Sequence, residues 1–377
     1  MRVGVLSLVL STNYGGILQS YALQKILNQI GHDVVILDKN RDISRPFLIQ
    51  LLSYLKYCFS RMFLGRKGVY KSPKTINSEM HQREIYTREF INKYLNIRLI
   101  NKLEHGVLDD VDAIIVGSDQ VWRPRYFKKK WDTTMGNAFL EFHNRPSTKR
   151  IAYAVSFGTD EWEFDEEETR RCAQLLQGFS AVSVREKSGI DLCDRFLGYS
   201  KAKHVLDPTL LLSEQDYVSI IKRSIVPKSK GNLMCYILDM TDDKKELINR
   251  ISRERGLVPF YSNSRVNDIN APHSERIQPP VESWLRGFMD AEFVVTDSFH
   301  ACVFSIIFRK PFVVIGNKER GMSRFDSLLS MFYLCDHLLL TPNDYVSSKS
   351  YAINDEVYNE LEILRKRSKE FIISSLS

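Results

Sequence analysis

"RVGVLSLVLSTNYGGILQSYALQKILNQIGHDVVILD", Arg2 to Asp38, decides the fold. Residues 2–8 form a short apolar run that reads as a buried strand rather than a targeting segment: it soon meets Ser and Asn, and no small-residue cleavage site follows. From 16 to 31, the apolar residues Ile17, Leu18, Ala22, Leu23, Ile26, Leu27 and Ile30 recur at helical spacing, with Gly31 as the stop. Residues 32–38 are a second strand, so the chain opens as a βαβ unit with "STNYGG" between its first strand and its helix.

The alternation continues through "DAIIVGSDQVW" (112–122), "KRIAYAVSFG" (149–158), a helix near 161–177, "SAVSVREKSG" (180–189) and "KHVLDPTLLL" (203–212). A polar stretch with Pro and Gly, "KRSIVPKSKGN" (222–232), marks a boundary. Beyond it strands at "LMCYIL", "LVPFYS", "EFVVT" and "PFVVIG" alternate with helices near 242–255, 280–289, from 299 and 323–332. The expectation is two α/β domains, 1–222 and 232–345, facing a cleft, with an amphipathic helix at 354–377 packing back on the first. A chain of 377 residues suits two domains, because one hydrophobic core stops growing at roughly 250 to 300 residues.

Composition narrows the function classes. No apolar run approaches the roughly 18 residues needed to span a bilayer. The six Cys form neither a CxxC pair nor a spaced disulfide framework, which fits reduced thiols in the cytoplasm and makes a zinc site improbable. The net charge of +7 is local: residues 41–100 hold twelve Lys or Arg against four Asp or Glu. One basic flank suits an anionic membrane or substrate, and no nucleic-acid module is present. Within that flank "PFLIQLLSYLKYCFSRMFLGRK" (46–67) shows a narrow polar stripe, Gln50, Ser53, Lys56 and Ser60, on a broad apolar helix ending in Arg61, Arg66 and Lys67. A helix buried against the sheet is the favoured reading, and one lying at the membrane interface is the other.

The strand ends carry the chemistry. In "FVVTDSFHACVFSIIF" (293–308), Asp297, Ser298 and His300 occupy a strand-to-helix turn, where Asp or Ser can cap the helix and the first-turn amides favour an anion. His300 stands at the mouth of that anion site, unless it is a satisfied structural histidine. Arg185, at the end of "SVREKSG", can bind a carboxylate or phosphate in two-pronged fashion; a salt bridge to Glu186 or Asp191 is the plain alternative. "STNYGG" offers Asn13, Tyr14, Gly15 and Gly16 but matches neither a dinucleotide fingerprint nor a P-loop. "GSDQVW" supplies Ser118, Asp119, Gln120 and Trp122: carboxylate, amide and aromatic face suit a sugar ring, and Asp119 can act as base toward a hydroxyl. An Asp-capped turn with a core Trp is the other reading. Lys318, Arg320 and Arg324 place three cations after "PFVVIG".

Together, "NYGGILQSYALQ", "GSDQVW", "YAVSFG", "SVREKSG", "VLDPTLLL" and "TDSFHACVFSIIFRKPF", in this order over about 2–335, resemble the polysaccharide pyruvyl transferase family. The resemblance implies two Rossmann-like domains arranged as in GT-B glycosyltransferases. It also implies transfer of pyruvate from phosphoenolpyruvate to two sugar hydroxyls as a ketal, with release of phosphate, in capsular or exopolysaccharide biosynthesis. It associates His300 and Arg185 with donor binding and catalysis. One departure stands out: Ser298 occupies the position where many members carry an arginine, and Ala301 follows the histidine in place of glycine. Lys318, Arg320 or Arg324 are the candidate replacements. Expected roles are thus catalysis by His300, Arg185 and Asp119, donor binding by Arg185, Ser298, His300, Lys318, Arg320 and Arg324, and acceptor binding by 13–16, Ser118, Asp119, Gln120 and Trp122. No metal or cofactor beyond phosphoenolpyruvate as co-substrate is expected. The acceptor is expected on a lipid-linked oligosaccharide, with the protein cytoplasmic and peripheral at the inner face of the bacterial membrane. A sugar-nucleotide glycosyltransferase and a non-catalytic glycan-binding relative are the alternatives.

Overall fold

The computed structural model describes residues 1–377 except 66–68, 267 and 318–320. Two sheets, both wholly parallel, organise the chain. The first contains β1 (Arg2–Leu6), β2 (Asp33–Lys39), β3 (Ile97–Ile100), β4 (Ala113–Val116), β5 (Lys149–Val155), β6 (Ala181–Val184) and β7 (Lys203–His204), in the order β3-β2-β1-β4-β5-β6-β7. The second contains β8 (Leu233–Tyr236), β9 (Pro259–Tyr261), β10 (Phe293–Thr296), β11 (Phe312–Ile315) and β12 (Leu338–Leu339), in the order β12-β11-β10-β8-β9. Central strands such as "AIIV" and "FVVT" are buried along their whole length, as a parallel sheet covered on both faces requires.

Each sheet reverses its winding once, between β1 and β4 in the first and between β8 and β10 in the second. Loops leaving such a switch point diverge and open a crevice at the carboxyl ends of the strands. The crevices hold the loop into the helix Tyr14–Gln29, the loop after β4, and the turn into the helix Phe299–Ile307.

The two units share a core. One apolar cluster runs from Tyr14 and Ile17 through Trp284, Phe288 and Phe304 to Leu361 and Leu376. The helix Glu214–Lys222 packs on Val281–Asp290, with Tyr217 edge-on to Phe304. The last helix, Asp355–Leu376, is capped by Asn354 on the Val357 amide and returns to the first unit. There Arg365 donates to the carbonyls of Leu210 and Leu212, and Ser368 accepts from the Leu206 amide. Two Rossmann-like units with a returning C-terminal helix form the GT-B-like arrangement expected from the sequence.

Two local expectations are corrected, and other elements were missed. "KHVLDPTLLL" is a strand for only two residues, because Pro208 cannot donate to a ladder and Asp207 turns its carboxylate onto the Thr209 amide, starting a 3-10 turn, Pro208–Leu211. The helix Phe47–Phe63 is not buried against the sheet: none of its residues is buried. Its expected basic terminus at Arg66 and Lys67 lies outside the described residues. The helix Pro73–Tyr94 and the short strands β3 and β12 were not anticipated. No helix among the described residues is long and apolar enough to cross a membrane.

Candidate active site

β6 delivers Arg185 to the carboxyl edge of the first sheet, where its amide continues the ladder by donating to Val155 O. The guanidinium is buried among three carboxylates. Nε donates to Glu186 at 2.9 Å, Nη1 donates to Asp207 at 2.9 Å, and Nη2 lies 3.5 Å from Asp119. Burial would lower the Arg185 pKa, but Glu186, Asp207 and Asp119 outweigh it and the group is held more firmly charged than usual. The pairing with Glu186 is thus real but lies inside the site rather than on the surface.

Asp207 is the hub, and it was not singled out from the sequence. Its Oδ1 accepts from the Thr209 amide and hydroxyl at 3.0 and 2.7 Å, which leaves Oδ2 facing the cleft. Oδ2 meets Arg185 Nη1, the Ser118 hydroxyl at 3.5 Å and, from the other unit, His300 Nε2 at 3.7 Å. Burial alone would raise this carboxyl, yet His300, Arg185 and Thr209 outweigh it and hold the group well below the usual carboxylate range. The available signal was an Asp-Pro pair closing the last strand of the first sheet.

His300 is the second residue of the helix Phe299–Ile307, and its imidazole crosses to the first unit. A Cβ built on Gly15 would lie 2.0 Å from Nδ1, so only glycine lets the backbone come this close. Two cations lie over the Phe299 ring, Arg185 at 4.3 Å and Arg324 at 5.8 Å from its centre. Arg324 is buried, and burial together with the nearby Arg185 pushes its pKa down to about 10, so it remains a cation at neutral pH. Among the described residues, Arg185 Nη2 and His300 Nε2 are buried without a hydrogen bond.

Other expected site residues are placed differently. Asp297 does not cap the helix. It spans the switch-point crevice, accepting from the amides of Leu238 and Asp239 at 2.6 and 3.1 Å and from Lys244 at 2.8 Å. An acid in this apolar segment is thus a buried strut. Ser298 stands at the cap position without a side-chain cap bond, beside His300. Trp122 is corrected to a core residue: it is wholly enclosed, stacked on Phe139 at 4.5 Å, with Nε1 donating to Ala138 O, and so presents no face to a sugar. Tyr14 is corrected to an anchor between the units, its hydroxyl donating to Pro279 O at 2.8 Å and its ring stacked on Trp284. Gln120 is tied by Arg123 Nη1 at 3.0 Å. Asn13 is exposed at the start of the helix Tyr14–Gln29, and Gly16 is half-buried beside it. Lys318 and Arg320 lie outside the described residues.

Comparison with solved structures gives distant likenesses. UDP-GlcNAc 2-epimerase from Neisseria meningitidis bound to UDP-GlcNAc is 10% identical, with 100% of this chain and 99% of that chain covered and a TM-score of 0.49. UGT89C1 of Arabidopsis thaliana complexed with UDP is 9% identical, with 100% and 99% covered and a TM-score of 0.45. E. coli heptosyltransferase WaaC with ADP is 14% identical, with 85% and 92% covered and a TM-score of 0.36. At these scores none bears on what the site does. No curated protein matches the chain. The model of the family described as "Polysaccharide pyruvyl transferase" matches residues 13–319, a span that opens at the turn holding Gly15 and includes Asp119, Arg185, Asp207 and His300. The chain therefore belongs to the polysaccharide pyruvyl transferase family.

Proposed function

We propose that the protein moves pyruvate from phosphoenolpyruvate to two hydroxyls of one sugar, in a glycan or a lipid-linked oligosaccharide, closing a pyruvate ketal and releasing phosphate. Capsular or exopolysaccharide assembly is the setting this reaction suits. The observation that carries the reading is that Asp207 Oδ2 gathers Arg185 Nη1 and His300 Nε2 from opposite units, while Arg185 Nη2, 3.5 Å from Asp119, and His300 Nε2 are buried without a hydrogen bond. A buried donor left unpaired costs about 1–3 kcal/mol, which a bound anion would recover.

Within this reading Arg185 Nη2 takes the donor carboxylate. The phosphate lies toward Arg324 and the first-turn amides of the helix Phe299–Ile307. His300 delivers a proton to C3 of the enol, leaving a cation at C2. A sugar hydroxyl, relieved of its proton by Asp119, attacks C2 to give a tetrahedral carbon still bearing phosphate. The second hydroxyl then displaces the phosphate. One hydroxyl proton restores the proton given to C3 and the other departs with the phosphate. Asn13, Gly15, Gly16, Ser118 and Gln120 border the acceptor side.

The test uses phosphoenolpyruvate labelled with carbon-13 at C3 and a panel of free and lipid-linked oligosaccharides. The reading expects a new methyl resonance on the sugar in step with phosphate release. Phosphate release without a transferred methyl, or transfer of a sugar from a nucleotide donor in its place, would overturn it.

A further inference from the structure

The helix Phe47–Phe63 presents its faces in the reverse of the usual order. Gln50, Ser53, Tyr57 and Ser60, spaced three or four residues apart and so on one side, are half-buried, as is Cys58. That side meets Tyr70, in the segment leading into the helix Pro73–Tyr94, whose hydroxyl donates to Gln50 O and whose ring packs on Tyr57 and Tyr54. The opposite side carries Leu48, Leu51, Leu52, Leu55, Phe59, Met62 and Phe63, each between 42% and 76% exposed. A surface helix of a globular protein normally turns its apolar stripe to the core. Here the polar stripe is inward and the apolar stripe faces out, which in water is a standing cost and marks an interaction surface.

Charge identifies the occupant. Residues 41–74 hold eight Lys or Arg against one Asp, equal to the net charge of the whole chain. Lys56 and Arg61 are exposed on the helix itself, where long stems can lie along apolar surface and raise their charges to headgroups. A second copy would set this charge against itself, whereas anionic lipid complements it. At 17 residues the helix is too short to span, and it leaves β2 at the sheet edge that also holds Gly15 and Asp119.

We propose that Phe47–Phe63 lies in the interface of an anionic lipid bilayer, apolar face down, and holds the cleft near that surface. This docking stands independently of the transfer chemistry, so its test does not use turnover. Purified protein is floated with phosphatidylcholine vesicles containing none or 30% phosphatidylglycerol, at low and high salt. The expected result is binding to the anionic vesicles at least tenfold above the neutral ones, weakened by salt and lost in the combined variant Leu52→Asp, Leu55→Asp, Phe59→Asp. These side chains are exposed, so circular dichroism should show an unchanged fold. A second variant, Leu55→Trp, should shift its emission to the blue on anionic vesicles and be quenched by brominated lipid. Equal binding to both vesicle types, unchanged binding by the triple variant, or a concentration-dependent dimer that this variant abolishes would each overturn the proposal.

Discussion

Asp207 Oδ2 lies 2.9 Å from Arg185 Nη1 and 3.7 Å from His300 Nε2, so one carboxylate oxygen of the first unit faces the donor groups of both. Replacing Asp207 with Asn keeps the shape but removes the charge, leaving Arg185 with one hydrogen-bonded carboxylate instead of two. We expect kcat to fall by about a hundredfold or more. The melting temperature should also drop, because breaking a buried pair by removing one partner typically costs about 3–5 kcal/mol. Steady-state kinetics beside a denaturant titration separates the two effects. Unchanged turnover with lowered stability would make Asp207 a structural group only.

Gly15 is the tightest point between the units. Gly15→Ala places a methyl 2.0 Å from His300 Nδ1, and the imidazole must give way. Displacement of about an ångström in a reacting group can cost on the order of a hundredfold in rate. We expect that loss in kcat with the protein still folded, and a changed His300 ring resonance by NMR. Full activity in this variant would show that the His300 position is not critical.

Trp122 separates packing from recognition. Because it is enclosed and stacked on Phe139, Trp122→Phe should lower stability by about 1–3 kcal/mol while leaving the acceptor KM within twofold. A large rise in the acceptor KM at unchanged stability would restore it to the sugar site.

His337 sets an acid limit on stability. It is buried against Phe312 and Tyr351, and burial outweighs the nearby Asp336 to push its pKa down to about 4. Its unfolded value is about 6.5, so between these values the unfolded chain binds the proton and the folded one does not. This contribution is complete above about pH 6.5 and is lost as the pH falls toward 4, by about 3 kcal/mol. Denaturant midpoints measured from pH 7 to 4 should fall, and His337→Phe should flatten the slope. An unaltered slope in the variant would assign the effect to other groups.

Periodicity and composition made the architecture legible, because a buried parallel strand and a core-facing helix each leave a local signature. The helix Asp242–Arg255 and the turn before His300 are cases in point. The helix Pro73–Tyr94 left no apolar stripe, since few of its residues are buried, although Ser72 capping the Thr75 amide ahead of Pro73 is a start signal that was overlooked. Short β3 and β12 depend on pairing with distant neighbours. In the site, Arg185 and His300 were legible as unusual residues at strand ends. Asp207 was not, because its role comes from three groups remote in sequence. Asp297 and Trp122 looked functional for the same reason that Arg185 did, and only their partners distinguish a strut and a core ring from a binding group.

Calorimetric titration of phosphoenolpyruvate, and separately of a sugar nucleotide, into the native protein, Arg185→Ala and His300→Ala tests the central claim most directly. The account predicts saturable phosphoenolpyruvate binding to the native protein, weakened at least tenfold in both variants. Tight binding of the sugar nucleotide with none of phosphoenolpyruvate would contradict it and assign the cleft to glycosyl transfer.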